Sequence, residues 1–237
     1  MMDTLQQIYG WLPALVRSSG VTLLLTIASV STALVLSVFL ALGKIARVHG
    51  QSGSKALDTF RRVRVAVVRA LSSAYIFFFR GTPLLMQLFF IYYTLPNLIP
   101  AFTIKDRFFA SWIAFSLNVA AYLAEIIRAA IQSIDKGQLE ASHALGLTYG
   151  QTMAMIVIPQ AYRRMIPPVC NEFVMVLKDT SLVSIIALTD LTFQTKMIAS
   201  NKASSLVYIP AMALYLIMTA FFTIVFNRLE KKVSAHE

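Results

Sequence analysis

One cysteine stands in the whole chain, Cys170, so no disulfide can close within it and the residue reads as a small buried apolar group. Charge is also scarce. Asp, Glu, Lys and Arg together make up 14% of the sequence, against about 25% in soluble domains, which argues against an ordinary water-exposed globule. Nucleotide-binding loops with Gly-Lys-Ser/Thr, zinc-binding His-Glu-x-x-His and Gly-x-Ser-x-Gly nucleophile turns are all missing from the sequence. With them go the commonest routes to hydrolytic catalysis. The three histidines, His49, His143 and His236, are scattered among predicted loops and ends. No repeat at a period of 20–50 residues is visible, nor a soluble second domain. No cleavable leader is expected, because the apolar run after Arg17 is too long for its h-region. Free energy, if the protein uses any, must be borrowed from a partner.

What the chain does have is apolar sequence. Of its 237 residues 57% are hydrophobic, with a mean hydropathy of +0.69, which points to membrane-spanning segments. The formal net charge of +10 would suggest nucleic acid in a soluble protein. Here the basic residues gather at the edges of apolar runs, as inner loops and anionic headgroups require.

The pattern predicts an all-α membrane protein with five transmembrane helices in one domain, residues 1–237. The spans fall at about 21–43, 70–98, 108–131, 169–190 and 206–226. Residues 1–16 read as an amphipathic lead-in with Tyr9 and Trp11 as interfacial anchors. The segment from Lys44 to Arg69 holds Lys44, Arg47, Lys55, Arg61, Arg62, Arg64 and Arg69 against Asp58 alone. That bias puts it in the cytoplasm, the N-terminus outside and, with Arg228, Lys231 and Lys232, the C-terminus inside. The second span is expected to be one kinked helix, broken where Pro83 removes a donor and Gly81 adds freedom. Pro96 and Pro100 mark an external turn. Tyr162-Arg163-Arg164-Met-Ile-Pro167-Pro168 is expected to stop a helix lying near the inner interface, and the fourth span to be interrupted at Lys178-Asp179.

Polar groups inside spans are costly in lipid and mark a path or a joint. Asn118, Tyr122 and Glu125 recur at i, i+4 and i+7, so one face of the third span is polar. Glu125 either serves that path or pairs with Arg128 one turn on. Lys178 and Asp179, followed by Thr180, either cap a helix break or meet a ligand. Thr82 and Gln87 either repair the backbone around Pro83 or line the path. Tyr92-Tyr93 reads as an interfacial belt.

The stretch 137–159 is the one polar, glycine-punctuated island. Gly146 should end a short helix as its C′ residue, and Thr148 with Gln151 has the spacing of a capping box that starts another. A helix-turn-helix has a similar cadence, but Tyr149 to Ile158 contains no Lys or Arg to neutralise phosphate, and no nucleic-acid role is expected.

Glu140-Ala141-Ser142, then Gly146, then Ile156-Val157-Ile158-Pro159 resembles the EAA loop of bacterial ABC importer permeases, Glu-Ala-Ala-x3-Gly-x9-Ile-x-Leu-Pro, with Ser142 and Ile158 as mild departures. Phe79-Arg-Gly-Thr-Pro-Leu-Leu85, Ala121-Tyr-Leu-Ala-Glu-Ile-Ile-Arg128 and Lys178-Asp-Thr-Ser-Leu182 are similar to the polar amino acid (histidine, glutamine, arginine) branch of that family. The resemblance implies a type I importer permease (MetI-like) fold in the bacterial inner membrane. It implies two ATPase subunits that hold Mg-ATP while this chain holds no cofactor. It also implies a second permease, identical or sister, and an extracytoplasmic amino-acid-binding protein. Glu140, Ala141, Ser142, Gly146, Leu147 and Pro159 would form the ATPase coupling surface. Thr82, Gln87, Asn118, Tyr122, Glu125, Lys178, Asp179 and Thr180 would form the substrate path. A permease of the same fold for another small solute, such as an amino acid derivative or opine, is the alternative.

Overall fold

A computed structural model describes residues 2–46 and 55–234; Arg47, His49 and His236 lie outside the described residues. Those described residues form helices and short connections, with no strand among them. The longest apolar run becomes α1, Met2–Ile45, which continues through Pro13 without a separate lead-in. Trp11 is not an interfacial anchor. It is buried with Leu15, Leu177, Leu191, Val207, Ala211 and Met218, where its ring fills a gap among four helices.

α1 lies along α5, Arg107–Gln132. The two helices approach closely because their shared face is built from small residues, including Ala33, Ala110, Ala114 and Ala120 around Phe115 and Leu25. Buried hydroxyls on α1 bond their own helix, as Thr26 Oγ1 does to the Thr22 carbonyl at 2.8 Å. Trp112 Nε1 reaches across from α5 to the Ala28 carbonyl and Thr32 Oγ1, both at 3.2 Å. Asp106 opens α5 by accepting from the Phe109 amide at 2.6 Å.

The break expected within 70–98 falls where the sequence places it, between Gly81 and Leu84, and the bend there is sharp. α2, Lys55–Gly81, starts inside the basic segment. After the break the chain turns by 104° into the run Leu84–Leu98, made of α3, Leu84–Phe89, a π turn, Phe90–Thr94, and α4, Leu95–Leu98. A bend beyond a right angle carries the second half sideways, so the two halves are not one gently kinked rod.

After α5 come α6, Lys136–Ala144, and α7, Tyr149–Thr152, then a π turn, Met153–Val157, and α8, Ile158–Asp179. Pro167 and Pro168 do not stop the helix as expected. They sit inside α8, whose flanking residues Ala161, Cys170, Val176 and Leu177 are buried, so packing holds the rod together where two amide donors are missing. A 3-10 turn, Thr180–Ile186, follows and ends at Ala187 with φ of 57°. α9, Leu191–Lys202, is capped by Asp190 and ends at Ala203 with φ of 47°. α10, Tyr208–Ser234, closes the described chain.

Among the described residues α1, α5 and the segment Ser205–Val233 are long and apolar enough to cross a membrane, and the bent pair makes a fourth if taken as one span. The 169–190 stretch is not in that set. It is half α8, which carries Arg163, Arg164, Glu172, Lys178 and Asp179, and half 3-10 turn.

α2 rests against the end of α1 where Gly43 faces Ser72, and a Cβ at position 43 would lie 2.3 Å from Ser72 Oγ and 3.2 Å from Val68 Cγ1. Gly43→Leu should therefore wedge the two helices apart and cost about 1–3 kcal/mol. Thermal unfolding in detergent should show it, with Gly43→Ala falling between Leu and wild type because the Ser72 hydroxyl can rotate away.

Candidate functional site

The break between α2 and α3 follows from one missing proton. Pro83 has no N–H to return to the Phe79 carbonyl, and the Met86 amide turns from Thr82 to the Pro83 carbonyl at 3.0 Å, beside the ordinary helical bond of the Gln87 amide to it at 3.2 Å. The carbonyls of Phe79 and Thr82 are left without helical donors. Gln87 Nε2 supplies both, each at 3.0 Å, and reaches Thr82 Oγ1 at 2.8 Å. Asn118 on α5 donates to the Phe79 carbonyl and to Gln87 Oε1, each at 3.0 Å. Thr82 Oγ1 returns to the Phe78 carbonyl at 2.9 Å. Gln87 and Asn118 are buried. Thr82, Gln87 and Asn118 thus form one joint, and its hydrogen-bonding capacity is largely used there.

Toward the elbow end of α5 the polar face continues as an ion cluster. Glu125 pairs with Lys44 from α1 and, at 2.5 Å, with Arg128 Nε one turn on. Arg128 also donates to Gln132. Glu125 pairs with Arg128, and it also borders an open cleft of about 350 Å³ with Lys44, Ser73, Arg80 and Tyr122. The Arg80 guanidinium lies 5.3 Å over the Tyr122 ring, a cation–π contact that holds it at the cleft wall.

On α8, Thr180 is buried and donates to the Leu177 carbonyl at 2.8 Å, so it closes the helix end. Lys178 and Asp179 are exposed. Glu172, two turns before Asp179 on the same face, lies within electrostatic reach of both Asp179 and Arg80. Sequence reasoning missed Glu172, Arg80 and Lys44 as members of this region. The i, i+7 spacing of Glu172 and Asp179 was a readable signal; nothing local marks Lys44 as the partner of a residue far along the chain.

The Gly146 ending and the Thr148–Gln151 cap of the elbow are built as expected. Asp135 caps α6 by accepting from the Gly137 amide at 2.6 Å. Gly146 has φ of 78°, and the amides of Gly146 and Leu147 bond the carbonyls of His143 and Ser142, each at 3.0 Å, which is a Schellman ending. Thr148 and Gln151 form the reciprocal capping box. Three side-chain rungs then tie the α5–α6 limb to the α7–α8 limb. Thr152 Oγ1 and Ser142 Oγ lie 3.0 Å apart and both are buried; Ser142 gives its own proton to Leu139. Gln160 Nε2 donates to Gln138 Oε1 at 2.5 Å, and Arg164 Nη1 donates to Ser133 O and Oγ at 2.5 and 3.0 Å. Outside the rungs Glu140, Ala141 and Pro159 are exposed, Leu147 is half-buried, and Leu145 is 80% exposed.

Residues 56–235 match the family model of the binding-protein-dependent transport system inner membrane component. The chain belongs to that family. Its relatives are membrane permease subunits. The arginine transport system permease protein ArtQ of Bacillus subtilis (strain 168) is 33% identical over 229 residues, 95% of each chain. A crystal structure of an amino acid ABC transporter with histidines superposes at a TM-score of 0.84 with 33% identity, covering 96% of this permease and 97% of that chain. The MetNI methionine ABC transporter in inward facing conformations shares the fold at a TM-score of 0.71 and 19% identity, over 94% and 97% of the two chains. The helix order described above is thus that of an ABC importer permease, and the joint, the cleft and the elbow all lie within or beside the matched residues.

Gln87→Leu in this permease should strand the Phe79 and Thr82 carbonyls and lower stability by about 1–3 kcal/mol, read as a lower melting temperature in detergent. Cysteines at 142 and 152, in a Cys170→Ser background, should cross-link on mild oxidation, because the two hydroxyl oxygens are 3.0 Å apart; persistent free thiols on a thiol-labelling gel would contradict the closed elbow.

Proposed function

We propose that this chain is the transmembrane subunit of an ATP-driven importer for polar amino acids, and that its elbow couples import to ATP hydrolysis in a separate subunit. The observation that carries this reading is an exposed elbow, cross-braced by side-chain hydrogen bonds, on a chain of the permease family. Basic side chains at the elbow end, Lys44, Lys55, Arg61, Arg62, Arg64 and Arg69, orient that end to the cytoplasm. The N-terminus is then outside and the C-terminus inside, which requires α8 and its 3-10 extension to complete a fifth crossing within a single permease domain.

Two ATPase subunits carry Mg-ATP and grip the two elbows of a permease pair, with Glu140 facing a basic groove residue and Leu145 an apolar one. This chain binds no nucleotide. The second permease, identical or sister, covers the polar side of α8, since Asn171, Lys178 and Asp179 are exposed and could not face lipid without cost. The path then runs between the two permeases, past the cleft of Arg80, Tyr122 and Glu125. An extracytoplasmic binding protein delivers the substrate, and the arginine and histidine named with the relatives support an amino acid with both a carboxylate and an ammonium. Arg80 and Lys44 suit the first group, Glu172 and Asp179 the second.

ATP-driven approach of the ATPases moves both elbows. Because each elbow is one body, displacement passes to α5 and α8 together and is not lost in bending. Gly146→Val introduces a β-branched side chain at φ of 78° and should uncouple the assembly. The reconstituted importer should keep ATP hydrolysis and lose most substrate uptake into vesicles; normal uptake by this variant would sink the coupling assignment.

A further inference from the structure

α8 presents a polar face that the other described residues leave open. Its centre is Met175, 54% exposed. Asn171 and Lys178 stand at i−4 and i+3 from Met175, and Glu172 and Asp179 at i−3 and i+4. At about 100° per residue the first pair lies roughly 40–60° to one side of Met175 and the second pair as far to the other. Donors thus occupy one flank and carboxylates the opposite flank, in two layers about 10 Å apart along the helix. Asn171, Lys178 and Asp179 are exposed and Glu172 is half-buried.

The charges of these flanks are not answered within the chain. Glu172, Lys178 and Asp179 form no ion pair among the described residues, and Lys178 and Asp179, being adjacent on a helix, do not face each other. Nearer the elbow on the same face, Arg164 is already turned to Ser133, so the open stretch is 171–179. Charged side chains on a helix that crosses the bilayer need a polar partner.

We propose that the second permease is another copy of this chain, and that the two α8 faces meet across a twofold axis at Met175. The inference rests on the reading that α8 completes a crossing in a permease pair. Identical chains cross the bilayer in the same direction, so their axis lies along the membrane normal and each residue meets others at its own depth. Rotation about that axis lays the donor flank of each copy on the carboxylate flank of the other, in both layers at once. Lys178 then faces the partner's Asp179 and Asn171 the partner's Glu172, as flanking charges set partner choice in paired helices. A sister permease would match only if a different sequence repeated this order of donors and acids; a second copy matches by construction. The carboxylates offered to a substrate's ammonium face Lys178 of the partner subunit, so that part of the path is complete only in the pair.

The test uses the full-length chain in bacterial membranes. Wild-type copies carrying two different affinity tags should co-purify after co-expression. In a Cys170→Ser background Met175→Cys leaves one thiol per chain, and mild oxidation should give a dimer band on a non-reducing gel, because a residue beside the axis meets its own copy. Leu216→Cys on α10, where Leu216 is 70% exposed, should stay monomeric. Lys178→Glu sets acid against acid and should slow the Met175→Cys cross-link at least about tenfold, and adding Asp179→Lys exchanges the flanks and should restore it to within about twofold. Equal cross-linking at 175 and 216, or a charge exchange that recovers nothing in a monodisperse variant, overturns the proposal. Should the charge variants fail to fold, the two-tag and Met175→Cys results decide alone, and absence of either the co-purification or the dimer overturns it. Substrate uptake without that dimer assigns a sister permease and also overturns it. A dimer that supports no uptake upholds the pairing and sinks the import reading instead.

Discussion

In lipid a backbone carbonyl without a donor has no water to fall back on, and Pro83 creates that situation at the joint between α2 and α3. The rest of the structure is arranged around the repair. Gln87 folds back from α3 and Asn118 leans in from α5, both onto the Phe79 carbonyl. Their shared acceptor fixes three segments relative to one another. Only with that joint closed can the chain turn by 104° and leave Arg80, on the last turn of α2, free to stack on Tyr122 and edge the cleft.

The same reasoning separates polar residues that hold the protein together from those still open to a ligand. Asn118, Gln87, Thr82 and Thr180 spend their donors on carbonyls of the chain. Glu125 is shared between two cations and still borders open space. Glu172 lies within electrostatic reach of Arg80 and Asp179, and none of the three forms an ion pair among the described residues. Charges of that kind, at membrane depth, make sense when a second subunit or a wet passage meets them.

Much of this was legible in the sequence, for identifiable reasons. α5, the third span expected, was readable because no proline or glycine interrupts its largely apolar run. The elbow was readable because Gly146, Thr148 and Gln151 are signals whose meaning is local. The parts that were misread depend on distant partners. Trp11 looks like an anchor until the helices that bury it are in place, and Pro167-Pro168 looks like a stop until packing on both sides holds the rod together. The angle at Gly81–Pro83 is set by Asn118, which a reading of that segment alone cannot supply. Lys44 meets Glu125 across a separation of 81 residues, and no spacing rule reaches that far.

The π turn ahead of Pro159 has a rotational consequence. Pro159 lacks the amide that would bond the Met155 carbonyl, and the Ile158 amide reaches back five residues to Met153. Along an uninterrupted α-helix, Thr152 and Gln160 would point roughly 80° apart, eight residues being a little over two turns. One extra residue in the π turn takes back about 100° of azimuth, which brings the two side chains to nearly the same bearing, where Ser142 and Gln138 wait on a single helix face. The motif's closing proline thus sets the phase between the elbow and α8: it decides which side of a transmembrane rod turns toward whatever moves the elbow.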